Sequence, residues 1–136
     1  IYNIAYALFA LPVGELSDKI GKKPIILAGY LVLALVCLGF AYANNTLLAW
    51  ILFPVYGIHM ALINSTSRAF VSDLVRSEKR GTALGIYHTF TGLAVFPASL
   101  VFGILWDSIG TKTAFIYGAV IALIAAVALG IFVKNK

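Results

Sequence analysis

The sequence predicts an all-α fold: a polytopic bundle of transmembrane helices built from five apolar segments. Composition is the first observation behind this, because 62% of the 136 residues are hydrophobic and only 11% are charged. The mean hydropathy of +0.99 is far outside the range of soluble domains. Charge placement is the second. The ten Lys and Arg and five Asp and Glu are gathered into short clusters, and residues 1–14, 24–67, 81–106 and 113–133 carry none of them. Length is the third, since at about 1.5 Å per residue a helix of roughly twenty residues crosses the roughly 30 Å hydrocarbon layer.

The segments follow in order as helices over about residues 1–16, 25–43, 47–67, 82–105 and 113–133. The first apolar run is too short to span, and with no Met or basic leader region it reads as the cut end of a longer helix, not a signal peptide. The second holds ten Leu, Ile, Val and Phe. At about 0.3–0.6 kcal/mol each they favour insertion by roughly 3–6 kcal/mol, which one mid-membrane Lys or Asp would largely cancel at about 3 kcal/mol. Asn44, Asn45 and Thr46 separate it from the third by a polar turn. Pro97 predicts a bend in the fourth. In the fifth, Gly118, Ala122, Ala126 and Gly130 repeat every four residues and predict close helix contact.

Alternate connections divide the basic residues nine to one, with Lys19, Lys22, Lys23, Arg68, Arg76, Lys79, Arg80, Lys134 and Lys136 on one side and Lys112 on the other. The positive-inside rule then makes the first side and the C-terminus cytoplasmic in a multi-pass protein of the cell membrane. Its partner is the lipid bilayer, and basic clusters interleaved with spans do not point to nucleic acid.

Half of the residues in GELSDKIGKK, positions 14–23, are charged, and the stretch is echoed 89 residues later by GILWDSIGTK. Gly14, Leu16, Asp18, Ile20, Gly21 and Lys23 match Gly103, Leu105, Asp107, Ile109, Gly110 and Lys112. Three spans lie between the copies, so the second faces the opposite side, as an inverted repeat of three helices requires.

Gly14-x-Leu16-x-Asp18-Lys19-x-Gly21-Lys22-Lys23 resembles the cytoplasmic loop motif of the major facilitator superfamily. Residues 68–92, RAFVSDLVRSEKRGTALGIYHTFTG, are similar to the connection before that family's eleventh helix. The resemblance covers nearly the whole chain and implies the end of helix eight through helix twelve. The N-terminal half and helix seven would lie outside this chain. It further implies a secondary transporter of a small solute, working by alternating access and inactive as this part alone. It suggests a cytoplasmic gate that joins the motif to Arg68, Asp73, Arg80 and Gly81. Asp18 is expected at a helix N-terminus, where an anion gains about 0.3–1 kcal/mol. Gly14 and Gly21 are expected to permit close approach of helix and turn.

Polar residues within the spans sort the helices. Residues 25–43 and 113–133 carry few and read as lipid-facing, whereas Tyr6, His59, Asn64 and His88 lie in the other three. Groups of this kind at membrane depth face protein or a wet cavity. They are the candidates for substrate contact or proton coupling, His59 foremost because imidazole donates, accepts and titrates near neutrality. A helix-packing hydrogen bond is the alternative for His59. No catalytic group, cofactor or metal is expected: Cys37 is alone, and HExxH, GxSxG and phosphate-loop patterns are absent. A noncatalytic membrane scaffold is the other class the sequence allows.

Overall fold

The computed structural model describes residues 2–133. It contains five α-helices, α1 (Tyr2–Ile20), α2 (Lys22–Ala41), α3 (Thr46–Asp73), α4 (Arg80–Ser108) and α5 (Thr111–Phe132), with a short 3-10 turn at Ser77–Lys79. No strand occurs among the described residues. Four stretches are long and apolar enough to cross a membrane, containing α2, α3, α4 and α5.

The helices outrun the apolar segments at their charged ends. Residues 14–20 belong to α1 and Lys22 already begins α2, leaving Gly21 as the whole connection. The 28 residues of α3 extend about 42 Å, beyond the roughly 30 Å hydrocarbon layer. A helix satisfies its own backbone hydrogen bonds and has no reason to stop where the lipid tails do. Its ends can therefore carry charge into the headgroup zone. Asn44 and Asn45 lie in the turn between α2 and α3, Thr46 already opens α3, and Asn45 caps that helix by accepting from the Leu48 amide at 2.8 Å.

α2, α3, α4 and α5 form a ring in which each touches the next and α5 closes onto α2; α1 packs outside it, mainly on α3. The core between α1, α2 and α3 comprises Val13, Ile25, Ala61 and Leu62, with Tyr6, Val32 and Ile58 against it. α2 is thus central, and only a stripe including Leu31, Leu35, Leu38 and Tyr42 is open. Its apolar composition suited lipid and protein equally, because lipid tails are as apolar as leucine. α5 meets α2 through small residues, with Ala114, Ala119, Ala122 and Ala126 buried and Gly118 beside Cys37. α4 buries no residue and packs least.

At one end, five rings from four helices form a continuous cluster. Phe40 meets Phe53 at 5.5 Å and Phe115 at 5.3 Å, and Phe115 meets Phe102 at 5.5 Å and Trp106 at 5.7 Å. At the α1–α3 contact the limiting residue is Gly57. A Cβ there would strike the Tyr2 carbonyl and lie 2.7 Å from Ala5 Cβ. Backbone cannot step aside as a side chain can, so Gly57→Ala should destabilise the intact protein by about 1–3 kcal/mol. Gly130→Ala, with nothing within 4 Å of its Cβ, should be near neutral. Thermal unfolding of the two variants in detergent checks this.

Candidate functional site

Three cross-chain contacts fix which helix ends lie together. Lys22 Nζ pairs with the Asp73 carboxylate, tying the start of α2 to the end of α3. Lys23 Nζ donates to the Gly130 carbonyl at 3.0 Å, in the last turn of α5, where helix carbonyls lack intrahelical partners. At the other end, Lys112 Nζ stands 4.4 Å from the centre of the Tyr42 ring, joining the start of α5 to the end of α2. The bundle therefore alternates up and down. Lys19, Lys22, Lys23, Arg68, Arg76, Lys79 and Arg80 share one end, and Lys112 is at the other. Lys134 and Lys136, counted with the first group in the sequence, lie outside the described residues.

The two copies of the charged stretch adopt the same turn at opposite ends. Gly21 has φ 96° and ψ 154° before α2; Gly110 has φ 123° and ψ 162° before α5. This backbone region is essentially restricted to glycine. Conformation is therefore the reason for Gly21, not the close approach expected of it, since its Cβ would meet only Pro24 Cδ at 3.8 Å. Gly14 likewise has nothing within 4 Å. Asp18 also departs from expectation. It is in the last turn of α1, exposed, where its own helix dipole is unfavourable to an anion. The helix continues through residue 20, so Asp18 does not start one.

Of the gate residues, the structure joins only Lys22 and Asp73 by an ion pair among the described residues. Arg68 is exposed on α3, and Arg80 and Gly81 open α4 on its exposed surface. Leu16 and Lys19 are exposed on α1.

The polar residues of the spans do not converge. His59 is buried, with Nδ1 2.8 Å from the Gly29 carbonyl on α2. A carbonyl only accepts, so Nδ1 carries the proton that is donated and Nε2 remains the acceptor of the neutral ring. Tyr56 lies between His59 and Tyr2, at ring distances of 5.6 Å and 5.8 Å. Asn64 donates to Met60 Sδ at 3.3 Å on its own helix. Tyr6 packs on the core. His88 is exposed on α4 beside Tyr87, while Thr89 and Thr91 bond back to their own backbone. Sequence reading missed the aromatic cluster, although Phe40, Phe53, Phe102, Trp106 and Phe115 all fall near helix ends on the side of Lys112.

A helical bundle with alternating direction, apolar flanks and an ionised rim at one end defines a multi-pass integral membrane protein. The chain matches the profile of the Major Facilitator Superfamily across residues 1–136, and it belongs to that family of membrane transporters. It is 46% identical over 129 residues to an MFS-type transporter of Methanocaldococcus jannaschii, MJ1317, covering 95% of this chain and 32% of that protein. The inner membrane transport protein YajR of Escherichia coli is 28% identical over 140 residues, 98% of this chain and 29% of the relative. The multi-drug resistance efflux pump PmrA of Streptococcus pneumoniae is 26% identical over 134 residues, 97% of this chain and 33% of the relative. The chain thus spans about a third of the length of these curated relatives. No solved structure matches it.

The Lys22–Asp73 pair is partly screened, with side chains 15% and 59% exposed, which limits such a pair to about 0–1 kcal/mol. A double-mutant cycle with Lys22→Gln and Asp73→Asn in the intact protein, read by thermal unfolding, should give a coupling in that range and of stabilising sign. The charge exchange Lys22→Asp with Asp73→Lys should recover part of it.

Proposed function

We propose that this chain forms part of the C-terminal half of a secondary active transporter of a small solute, from the end of helix eight through helix twelve. The observation that carries the reading is the family match across every residue, with relatives named as transporters that are about three times as long. The other half would come from the same protein, and transport by alternating access would belong to the two halves together. The basic end is the cytoplasmic one in this reading.

The rim of Lys22, Asp73, Arg68 and Arg80 serves as one side of the gate. A rocking carrier must leave both conformations within a few kcal/mol, or one would trap it. A pair of about 0–1 kcal/mol suits that requirement, because it biases the equilibrium without locking it. Asp18 and Lys19, exposed in the last turn of α1, are placed to meet groups outside this chain as the gate closes. Gly21 holds the turn that orients Lys22 and Lys23. Among the substrate or proton-coupling candidates, His59 retains a titratable Nε2 while Nδ1 is committed to α2. Tyr6, Asn64 and His88 would act only where the other half supplies the facing wall.

Reconstituting the intact protein into proteoliposomes tests the reading. Saturable solute flux is expected, and Asp18→Asn should slow it by up to about fivefold, the equivalent of one exposed ion pair of up to about 1 kcal/mol, with membrane insertion unchanged. Absence of saturable flux across a panel of solutes would favour the scaffold instead, and unchanged kinetics in Asp18→Asn would remove that residue from the gate.

A further inference from the structure

His59, Thr66 and Asp73 follow one another at seven-residue intervals along α3 and so share one face of that helix. Two of them are joined to α2, at residues that are also seven apart: His59 to the Gly29 carbonyl and Asp73 to Lys22. Thr66, midway between them, is 0% exposed, and its hydroxyl has no hydrogen-bond partner. The helices of this chain supply that burial, so further protein around them cannot undo it. We propose that Thr66 is a positioning residue that sets how often the basic ends of α2 and α3 part to admit water. The proposal rests on the reading of the Lys22 and Asp73 rim as one side of a gate.

The three levels of this seam differ in what separation would cost. At His59 a buried hydrogen bond coincides with close packing, since a Cβ on Gly29 would lie 2.7 Å from Ile63 Cδ1. Parting there would strand two polar groups. At Asp73, 59% exposed, water can replace the lost partner. The seam therefore opens from the rim and stops at His59, and Thr66 lies within the part that opens. Gly29 packs beside Leu62 and Ile63, so one turn nearer the rim Ile25 stands level with Thr66 and offers its hydroxyl nothing. A helical threonine can turn its hydroxyl back to a carbonyl of its own helix, as Thr89 does with Gly85; Thr66 does not. Unpaired while the seam is closed, the hydroxyl gains water when the seam parts. It thus works against the ion pair at the rim.

Ser17 supplies the readout. It is 2% exposed, and because α1 and α3 run in the same direction with Tyr2 against Gly57, its depth falls between those of Thr66 and Asp73. Ser17→Cys, in a Cys37→Ser background of the intact protein in proteoliposomes, should react with a small water-soluble methanethiosulfonate only when the basic end opens. Thr66→Val, which keeps the shape and removes the hydroxyl, should slow that modification about tenfold, the equivalent of about 1.4 kcal/mol. Asp73→Asn should speed it by up to about fivefold. Thr66→Ser and Thr66→Ala differ by the hydroxyl alone; the Ala variant should react about tenfold more slowly than the Ser variant, and this pair carries the test if Thr66→Val does not fold. An unchanged rate in Thr66→Val at raised thermal stability would mean that the hydroxyl is unpaired in both conformations, and a faster rate that it already has a partner. Either result would overturn the proposal, as would a Ser17→Cys thiol that never reacts in the folded protein. Thiol kinetics read the seam without solute flux, so failure here leaves the transporter reading standing, and absent flux leaves the seam measurement intact.

Discussion

Inside a lipid layer a backbone amide or carbonyl has no water to turn to, and each one left without a partner costs several kcal/mol. Every feature of this chain follows from meeting that constraint with helices. The five of them satisfy most of their own backbones, and the connections are reduced to Gly21, residues 42–45, residues 74–79 with their 3-10 turn, and residues 109–110. Charge is excluded from the hydrocarbon by a cost of similar size, so it collects at the ends and marks the direction of each helix. What remains for tertiary structure is shape. Small residues let α5 lie against α2, and Gly57 lets the backbones of α1 and α3 meet.

The internal repeat gives the arrangement a near two-fold logic. Lys23 and Lys112 occupy equivalent positions 89 residues apart, one at the start of α2 and the other at the start of α5. Each reaches the far end of the other's helix, Lys23 to the Gly130 carbonyl and Lys112 to the Tyr42 ring. α2 and α5 are therefore held at both ends as well as along their seam of alanines. α4 has no such hold and buries nothing. The chain thus combines a firm pair with a looser helix, and the charged rim links the pair to α3 through Lys22 and Asp73.

Much of this was legible in the sequence because lipid imposes simple rules. Composition and the spacing of charge located the helices, and the count of basic residues aligned their ends. The limits have physical causes too. Helix ends ran past the apolar segments because hydropathy reports where lipid ends, whereas backbone hydrogen bonding decides where the helix ends. Asp18 was expected at a helix start and lies in a last turn for that reason. Composition also failed to show that α2 is central, since its leucines suit a protein neighbour as well as lipid. Gly21 was legible as a necessary glycine, but only φ and ψ reveal that conformation and not crowding requires it. The partner of His59 was invisible, because nothing local marks the Gly29 carbonyl thirty residues away.

The central claim is that lipid surrounds these helices and that one membrane face collects their basic ends. Single cysteines at Lys19, Lys79 and Lys112, in a Cys37→Ser background of the intact protein in sealed vesicles, put it to the most direct test. A membrane-impermeant maleimide should modify positions 19 and 79 from the same face and position 112 only from the other. Modification of 19 and 79 from opposite faces, or of all three from one, would contradict the account.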